Sequence, residues 1–303
     1  MKSTDIQWAG VFPAVTTQMH EGGALDLEAT RRCVERLIAG GVSGLVMMGM
    51  VGENSSLRPE EKLQVLQAGL EAAAGRVPVL SGVAEFTTAA AAAYARECER
   101  IGAQGLMLFP AIGYKSDADE TVAHYRTVAG ASGLAVLIYN NPVGYGVDVT
   151  PEVLARLADC PTLVAIKEES YDVRRVTDIH NLLGDRYAVV CGVDDLVLES
   201  AVLGVTGWVS GMANVYPEES TRLLQLAARG DWEKALSLYR VLTPLFHLDT
   251  EVKLVQYIKL AGQLKGQGRE WVRAPRLPLV GEQRARVERI VAQTDRALAA
   301  LAD

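Results

Sequence analysis

The chain alternates short apolar runs with amphipathic segments of helical period, and this alternation restricts the folds that it can adopt. Eight runs rich in Val, Ile, Leu and Met follow one another over roughly the first 220 residues, with a helical pattern after each run. Such runs are typical of strands that are buried on both faces of a parallel sheet. Eight strands alternating with eight helices predict a closed (β/α)8 TIM barrel rather than an open doubly wound sheet.

The sequence predicts strands at residues 11–16, 44–49, 77–81, 105–109, 134–142, 163–169, 187–191 and 204–210. After Pro217 the pattern is helical, broken only by turn-forming residues at 266–268 and 274–278. We therefore expect residues 1–216 to form the barrel. Residues 217–303 should form its last helix and a C-terminal helical extension packed on the barrel.

Composition and charge limit the partners and the chemistry. The formal net charge of −7 and the pI near 5.3 disfavour nucleic acid and anionic membranes as partners. No apolar run approaches the ~20 residues of a transmembrane helix, and residues 1–5 hold no apolar signal core, so we expect a cytoplasmic protein. The cysteines and histidines are scattered without metal-site spacing, which predicts buried free thiols and neither zinc nor disulfides.

One predicted strand ends in a lysine, Lys167. Partial desolvation at the mouth of a buried strand lowers the pKa of a lysine and frees a neutral amine, which can form a Schiff base with a ketone. The alternative is a structural lysine that reaches solvent or pairs with Glu168 or Glu169. The other lysines lie in polar, helical or loop segments where we expect their ammonium groups to reach water: Lys2, Lys62, Lys115, Lys234, Lys253, Lys259 and Lys265.

The preceding predicted strand carries Tyr139 near its end, at the level expected for Lys167 on the next strand. A phenol at this place can donate and accept the protons that carbinolamine formation and deprotonation at C3 require. The alternative is a tyrosine at the rim that anchors a loop.

The loops after the strands build the functional face of such a barrel. The loop after the second strand contains Gly49, Met50, Val51 and Gly52, whose backbone N–H groups can form a nest for a carboxylate. An ordinary turn is the alternative.

Two later loops face the same opening. The turn at residues 210–214 follows the eighth strand, and Gly192 follows the seventh. We expect the carboxylates of Asp194 and Asp195 to cap the next helix rather than to touch a substrate.

Five motifs carry a resemblance to a known family over almost the whole chain. They are Gly49-x-x-Gly52-Glu53, Tyr139-Asn140-x-Pro142, Ile166-Lys167-Glu168, Gly192-x-Asp194-Asp195 and Gly207-x-Val209-Ser210-x-x-Ala213-Asn214. In this order and spacing the chain resembles the pyruvate-type class I Schiff-base lyases of the dihydrodipicolinate synthase and N-acetylneuraminate lyase superfamily.

The resemblance implies a barrel with a C-terminal helical extension, assembled as a homotetramer built from two dimers. It implies that Lys167 forms a Schiff base with a 2-keto carbon, that Tyr139 shuttles protons, and that no further cofactor is needed. The ligand would be a small carboxylate. Its binding positions would be Gly49, Met50, Val51, Gly52, Gly192, Val209 and Ser210.

The chain also departs from the synthases of this superfamily. Met50 and Val51 stand where those enzymes carry two threonines, and Ile112 stands where they carry a tyrosine. Gly144 replaces the arginine that binds the carboxylate of the second substrate. These departures disfavour lysine biosynthesis, and the neuraminate lyases differ as well, because they carry Ser-Thr in the loop after the second strand.

The stretches 10–18, 51–54, 139–142 and 207–212 are most similar to the 1-pyrroline-4-hydroxy-2-carboxylate deaminases. This implies attack of Lys167 on an imine carbon, loss of the 4-hydroxyl and hydrolysis to 2,5-dioxopentanoate and ammonia. Two alternatives stay open. One is an aldolase or dehydratase acting on pyruvate or another 2-keto(-3-deoxy) acid, and the other is a non-catalytic small-molecule sensor.

Overall fold

The computed structural model describes residues 6–302, and within that range eight parallel strands form one sheet. The strands are β1 (Gly10–Pro13), β2 (Leu45–Met47), β3 (Val79–Val83), β4 (Gly105–Leu108), β5 (Ala135–Asn140), β6 (Leu163–Glu168), β7 (Ala188–Cys191) and β8 (Gly207–Ser210). Each lies inside or overlaps a predicted strand. Residues 1–5, where the sequence holds no apolar signal core, lie outside the described part.

The sheet closes on itself. Its order runs β1-β8-β7-β6-β5-β4-β3-β2, and a parallel bridge between Ala14 and Val46 joins the two ends. The N–H of Val15 donates to the carbonyl of Val46 at 2.9 Å. The predicted (β/α)8 barrel is therefore confirmed.

Helices cover the outside of the barrel. They are α1 (Leu27–Ala39), α2 (Pro59–Ala73), α3 (Thr88–Arg100), α4 (Ala118–Ala129), α5 (Pro142–Tyr145), α6 (Pro151–Ala155), α7 (Arg174–Leu183), α8 (Val197–Val202), α9 (Pro217–Ala228), α10 (Trp232–Asp249), α11 (Leu254–Leu264) and α12 (Gly281–Ala302). The side chain of Thr150 caps α6: its hydroxyl accepts from the N–H of Val153 at 3.4 Å, with Pro151 at the first helical position.

The short helix α5 was not predicted. The predicted strand extends to residue 142, but β5 ends at Asn140. The side chain of Asn141 accepts from the N–H of Gly144 at 2.7 Å and so caps a single helical turn that begins at Pro142. This turn sits at the mouth of the barrel.

The expectation that the other lysines reach water is wrong for two of them. Lys259 on α11 has no exposed side-chain surface, and its Nζ donates to Glu53 Oε1 at 2.8 Å and to the carbonyl of Thr17 at 2.9 Å. Lys62 is 5% exposed and pairs with Glu85. Helical periodicity places Lys259 on a helix, but it does not reveal that this helix covers the loop after β2.

The buried pair ties the C-terminal helices to that loop. Glu53 has no exposed side-chain surface, and its Oε2 accepts from the backbone N–H of Arg273 at 2.9 Å. Glu53 thus contacts both α11 and the segment that leads to α12, and it fixes the carboxyl end of the loop that follows β2.

The four cysteines are unpaired in the described structure, with Cys160 partly exposed and the other three buried. No helix within residues 6–302 combines the length and the apolar character needed to cross a membrane.

We predict that Lys259→Met lowers the free energy of unfolding by about 3–5 kcal/mol, because it removes the cation that is hydrogen-bonded to the buried Glu53 and leaves only Arg276 at 3.9 Å. Urea unfolding measures this loss. Combining it with Glu53→Gln should recover a large part of the stability. The matched control is Lys253→Met, whose exposed ammonium bonds only to Gln283. Equal stability of the Lys253 and Lys259 variants would contradict the prediction.

Candidate active site

A cavity of about 370 Å³ opens at the carboxyl ends of the strands. Six of the nine predicted site residues line it: Met50, Val51, Tyr139, Lys167, Gly192 and Val209. The other three, Gly49, Gly52 and Ser210, lie behind its surface. The lining also contains residues that the sequence did not single out as site residues, among them Asn141, Tyr145, Glu169, Tyr171 and Asp249.

The register of β5 and β6 brings Tyr139 and Lys167 together. These two residues are paired across the parallel strands, and Lys167 Nζ lies 3.9 Å from the centroid of the Tyr139 ring. Both are buried, with 3% and 6% of their surface exposed. The predicted juxtaposition of the amine and the phenol at one level of the barrel is therefore present.

A single carboxylate oxygen joins the two groups. Lys167 Nζ donates to Oε2 of Glu169, and the Tyr139 hydroxyl donates to the same oxygen at 2.8 Å. The other oxygen of Glu169 accepts from Asn141 Nδ2 at 2.9 Å. The same carboxylate oxygen can therefore take a proton from the amine or from the phenol without a rearrangement of these side chains.

From the sequence, Glu169 was expected only as a structural partner of Lys167. The signal that could have found it is the two-residue period of a strand, which places residues 167 and 169 on one face. Glu168 points the other way, where it accepts from Asn140 Nδ2 at 3.0 Å and from the N–H of Ser170 at 2.7 Å. The ion pair between Lys167 and a neighbouring glutamate is thus present inside the cavity.

Burial and the negative charge of Glu169 raise the pKa of the Tyr139 phenol well above its usual value. Tyr139 is therefore a protonated donor at neutral pH. Tyr145, which α5 brings to the site, packs edge-on with its ring centroid 5.5 Å from that of Tyr139 and 5.3 Å from that of Phe109. These rings keep the phenol in a dry environment.

The loop after β2 presents backbone donors to the cavity. Its first and last turns hold Met48 and Glu53 in the left-handed region, with φ of 57° and 56°. Among the hydrogen bonds of residues 6–302, none uses the N–H of Met50 or Val51. The predicted nest is consistent with this geometry.

Gly49 and Gly52, the two glycines of this loop, are not part of the cavity lining. A Cβ on Gly52 would meet the carbonyl of Val15 at 3.0 Å, so glycine there permits the loop to pack against the strand β1 side of the barrel. A Cβ on Gly49 would meet Met107 Cε at 3.4 Å.

The expectation that Asp194 caps a helix is wrong. Its buried carboxylate accepts from Trp208 Nε1 at 2.9 Å, from Ser210 Oγ at 3.1 Å and from the N–H of Met212 at 2.8 Å. The physical reason is that β8 and the turn after it offer this carboxylate three donors, from Trp208, Ser210 and Met212. Ser210 is consequently used to hold Asp194, and desolvation by burial raises the pKa of Asp194 to about 7.

Asp195 does not cap a helix either. Its side chain bonds to His247 Nδ1 at 2.7 Å, and its backbone carbonyl accepts from the hydroxyl of Tyr239. Both partners belong to α10, which packs beside the β7 and β8 loops.

The carboxyl end of α10 reaches the cavity with Asp249, more than a hundred residues after β5 and outside any motif of the barrel. Among the described residues that line the cavity, Lys167 is the only cation, whereas Glu169, Asp249 and Glu251 are acidic. Gly144, at the place where a second-substrate arginine would lie, contributes no charge to this lining. No group of His, Cys, Asp and Glu in the described structure has the arrangement of a metal site.

The barrel and the buried lysine at a strand mouth define a class of lysine-dependent lyases. The chain matches the model of the dihydrodipicolinate synthetase family over residues 7–294, and it belongs to this family. It is 35% identical to a 4-hydroxy-tetrahydrodipicolinate synthase of Methanospirillum hungatei over 240 residues, which cover 78% of this chain and 82% of the relative. A synthase of the same name from Haloarcula marismortui is 33% identical over 274 residues, covering 90% and 89%.

Two solved structures are similar to this chain in fold and in sequence. The 4-hydroxy-tetrahydrodipicolinate synthase of Methylacidiphilum fumariolicum superposes with a TM-score of 0.93 at 26% identity, covering 97% of this chain and 98% of the other. A putative dihydrodipicolinate synthetase from Pseudomonas aeruginosa gives a TM-score of 0.91 at 31% identity, covering 95% and 100%. These names support the synthase branch of the resemblance. The finer similarity to hydroxypyrroline carboxylate deaminases stays a prediction.

We expect Tyr139→Phe to lower turnover by about 10²–10⁴-fold, because it removes a positioned proton donor and leaves the ring in place. Steady-state kinetics measure this loss, and the melting temperature should change little. The matched control is Tyr187→Phe, which removes a buried hydroxyl that bonds to the carbonyl of Leu154, away from the cavity. Wild-type turnover in Tyr139→Phe would show that the proton passes through another group.

Proposed function

We propose that this protein is a Schiff-base-forming lyase or aldolase that takes pyruvate or another small 2-keto acid at Lys167. The observation that carries the proposal is the Glu169 oxygen shared by Lys167 and Tyr139 in the cavity at the strand mouths. Membership of a family of lysine-dependent lyases supports it. The carbonyl is activated by covalent attachment, so the reaction needs no external cofactor.

The loop after β2 is the proposed anchor for the substrate carboxylate. The N–H groups of Met50 and Val51 have no acceptor among the described residues, and both residues line the cavity. Backbone N–H groups arranged in this way can bind an anion although they carry no formal charge. An anchored carboxylate would place the neighbouring keto carbon toward Lys167.

The proposed reaction begins when Lys167 gives a proton to Glu169. The neutral Nζ then attacks the keto carbon, and the carbinolamine hydroxyl leaves as water with a proton from the relay of Tyr139 and Glu169. The resulting iminium accepts the electron pair of a C3–H bond as that proton is removed, which gives an enamine. Tyr139, held protonated by burial, is suited to donate in the dehydration step.

A second candidate is the deamination of 1-pyrroline-4-hydroxy-2-carboxylate, and one observation favours it. The cavity lining carries three acidic residues and a single cation, and that cation is the proposed nucleophile. No cation is left for the second carboxylate of a condensation partner such as aspartate semialdehyde. A cyclic imine with one carboxylate and a nitrogen fits this lining, whereas the names of the relatives favour an aldolase that uses pyruvate.

The resemblance to the superfamily also leads us to propose a homotetramer built from two dimers in the cytoplasm. The substrate is a small carboxylate, and the domain boundary near residue 216 is retained as the proposed division between the barrel and its helical extension.

Trapping tests the nucleophile. With pyruvate and borohydride, the peptide that contains Lys167 should gain the mass of the reduced adduct, because the Schiff base becomes a stable secondary amine. Mass spectrometry of the digested protein locates the adduct. The control is Lys115→Ala, which leaves the cavity lining intact. Labelling that persists in Lys167→Ala would reject the assignment. A wild-type protein that is labelled by neither pyruvate, other 2-keto acids nor the hydroxypyrroline carboxylate would favour a non-catalytic sensor.

Two reactions assayed side by side test the second candidate and the argument that the site lacks a cation for a second carboxylate. One measures ammonia released from 1-pyrroline-4-hydroxy-2-carboxylate, and the other measures condensation of pyruvate with aspartate semialdehyde. We expect the condensation to be negligible, because the cavity supplies no cation for the second carboxylate. The variant Gly144→Arg should improve the Michaelis constant for aspartate semialdehyde if this absence is the cause. Efficient condensation by the unaltered protein would contradict the argument from charge.

A further inference from the structure

Asp249 is the last residue of α10 and lines the cavity, yet it forms no hydrogen bond or ion pair with another described residue. Its Oδ1 is inaccessible and accepts no hydrogen bond, and Oδ2 forms none with any residue in the range 6–302. Buried carboxylates are normally paired or hydrogen-bonded. The only place where Asp249 can find a polar partner is the cavity.

The local packing has room for this carboxyl because residue 211 is a glycine. A Cβ on Gly211 would lie 2.0 Å from Asp249 Oδ1 and 2.9 Å from Ile258 Cδ1. Any larger residue at position 211 would displace the carboxyl from the turn after β8. Asp249 is thus held by shape rather than by hydrogen bonds.

The groups around Asp249 disfavour its ionised form. Burial and the charges of Asp194, Glu169 and Asp195 raise the pKa of Asp249, and Lys167 opposes them. Asp194 already receives three hydrogen bonds, which suit a carboxylate, whereas Asp249 receives none from the protein. The described groups therefore favour a neutral carboxylic acid at position 249, which can donate a hydrogen bond.

We propose that Asp249 donates a proton to the oxygen on C4 of the substrate. The inference rests on the proposed function, in which Lys167 holds C2 and the loop after β2 holds the carboxylate. Tyr139 and Glu169 then lie beside C2 and C3, so C4 is the next atom along the substrate. An oxygen on C4 is common to both candidate reactions, as the carbonyl of an aldehyde partner or as the 4-hydroxyl of the pyrroline.

Proton donation by Asp249 completes either reaction. In a condensation the enamine pair forms the C3–C4 bond, the C=O pair moves onto oxygen, and the proton of Asp249 goes to that oxygen. In an elimination the enamine pair forms the C3–C4 double bond as the C4–O bond breaks, and the proton of Asp249 completes the leaving water. In both cases the carboxylate regains a proton from solvent before the next turnover.

The test compares a reaction step that involves C4 with one that does not. Pyruvate alone exchanges its C3 hydrogens for deuterium in D₂O through the Lys167 enamine, and pyruvate has no C4. We expect Asp249→Asn to exchange pyruvate within about 3-fold of the wild-type rate, because the amine, the phenol and Glu169 are unchanged. Turnover of whichever C4-oxygen substrate the wild-type protein uses should fall by about 10²-fold or more, chiefly in kcat.

The pH profile supplies a second readout. The active form of Asp249 is its acid, so wild-type kcat on the C4-oxygen substrate should fall as pH rises through the pKa of Asp249. Asp249→Asn should lack this alkaline limb, and Asp249→Glu should restore part of it. The control Asp231→Asn changes an exposed carboxylate at the other end of α10, where it pairs with Lys234, and should keep wild-type kinetics.

The outcomes separate the two levels of the argument. Absence of both exchange and trapping in the wild-type protein overturns the proposed function, and the role of Asp249 with it. Normal exchange together with wild-type turnover in Asp249→Asn overturns the role of Asp249 alone. Equal loss of exchange and turnover in that variant also overturns it, since the residue would then act on Lys167 or on the fold. Retained exchange with lost turnover and a lost alkaline limb supports it.

Discussion

One oxygen atom of Glu169 receives both the ammonium of Lys167 and the phenol of Tyr139, and the chemistry of the site depends on this arrangement. A buried ammonium without a partner would be strongly unfavourable, so the glutamate is what permits a lysine inside the barrel. Because the same oxygen contacts the phenol, the partner that stabilises the resting state is also a path for the proton. The register of β5 and β6 sets the positions of the amine and the phenol, and the two-residue period of the strand sets that of the glutamate.

The chain contains a second buried lysine–glutamate pair, and the two pairs differ in their access to the cavity. Lys259 and Glu53 have no exposed side-chain surface, and their remaining contacts go to the carbonyl of Thr17 after β1, to the backbone N–H of Arg273 and, at 3.9 Å, to Arg276 Nη1. Lys167 and Glu169 line a cavity instead. The enclosed pair of Lys259 and Glu53 therefore stabilises the packing of the C-terminal segment. The pair of Lys167 and Glu169 can contact a carbonyl compound that enters the cavity.

Much of the architecture could be predicted because its signals are local. Periodicity predicts the eight strands and the helices. The ends of the apolar runs predict that Lys167 and Tyr139 lie at the same height of the barrel. Glu169 was also within reach, since it lies two residues from Lys167. The buried ion pair of Lys259 and Glu53 could not be predicted, because the two residues are 206 positions apart and their contact depends on how α11 lies across the barrel. Asp249 was missed for the same reason, as it enters the site from the end of α10.

Charge, rather than cavity size, accounts for the substrate preference that this site is proposed to have. Glu169 offsets the charge of Lys167, and the raised pKa of Asp249 favours its neutral form. The backbone donors of the loop after β2 are then sufficient for one carboxylate. A second carboxylate would lie among Asp249 and Glu251 without a cation, and it would favour ionisation of neither acid. A volume of about 370 Å³ would hold a dicarboxylate, so the restriction arises because Lys167 is the only cation among the described residues of the lining.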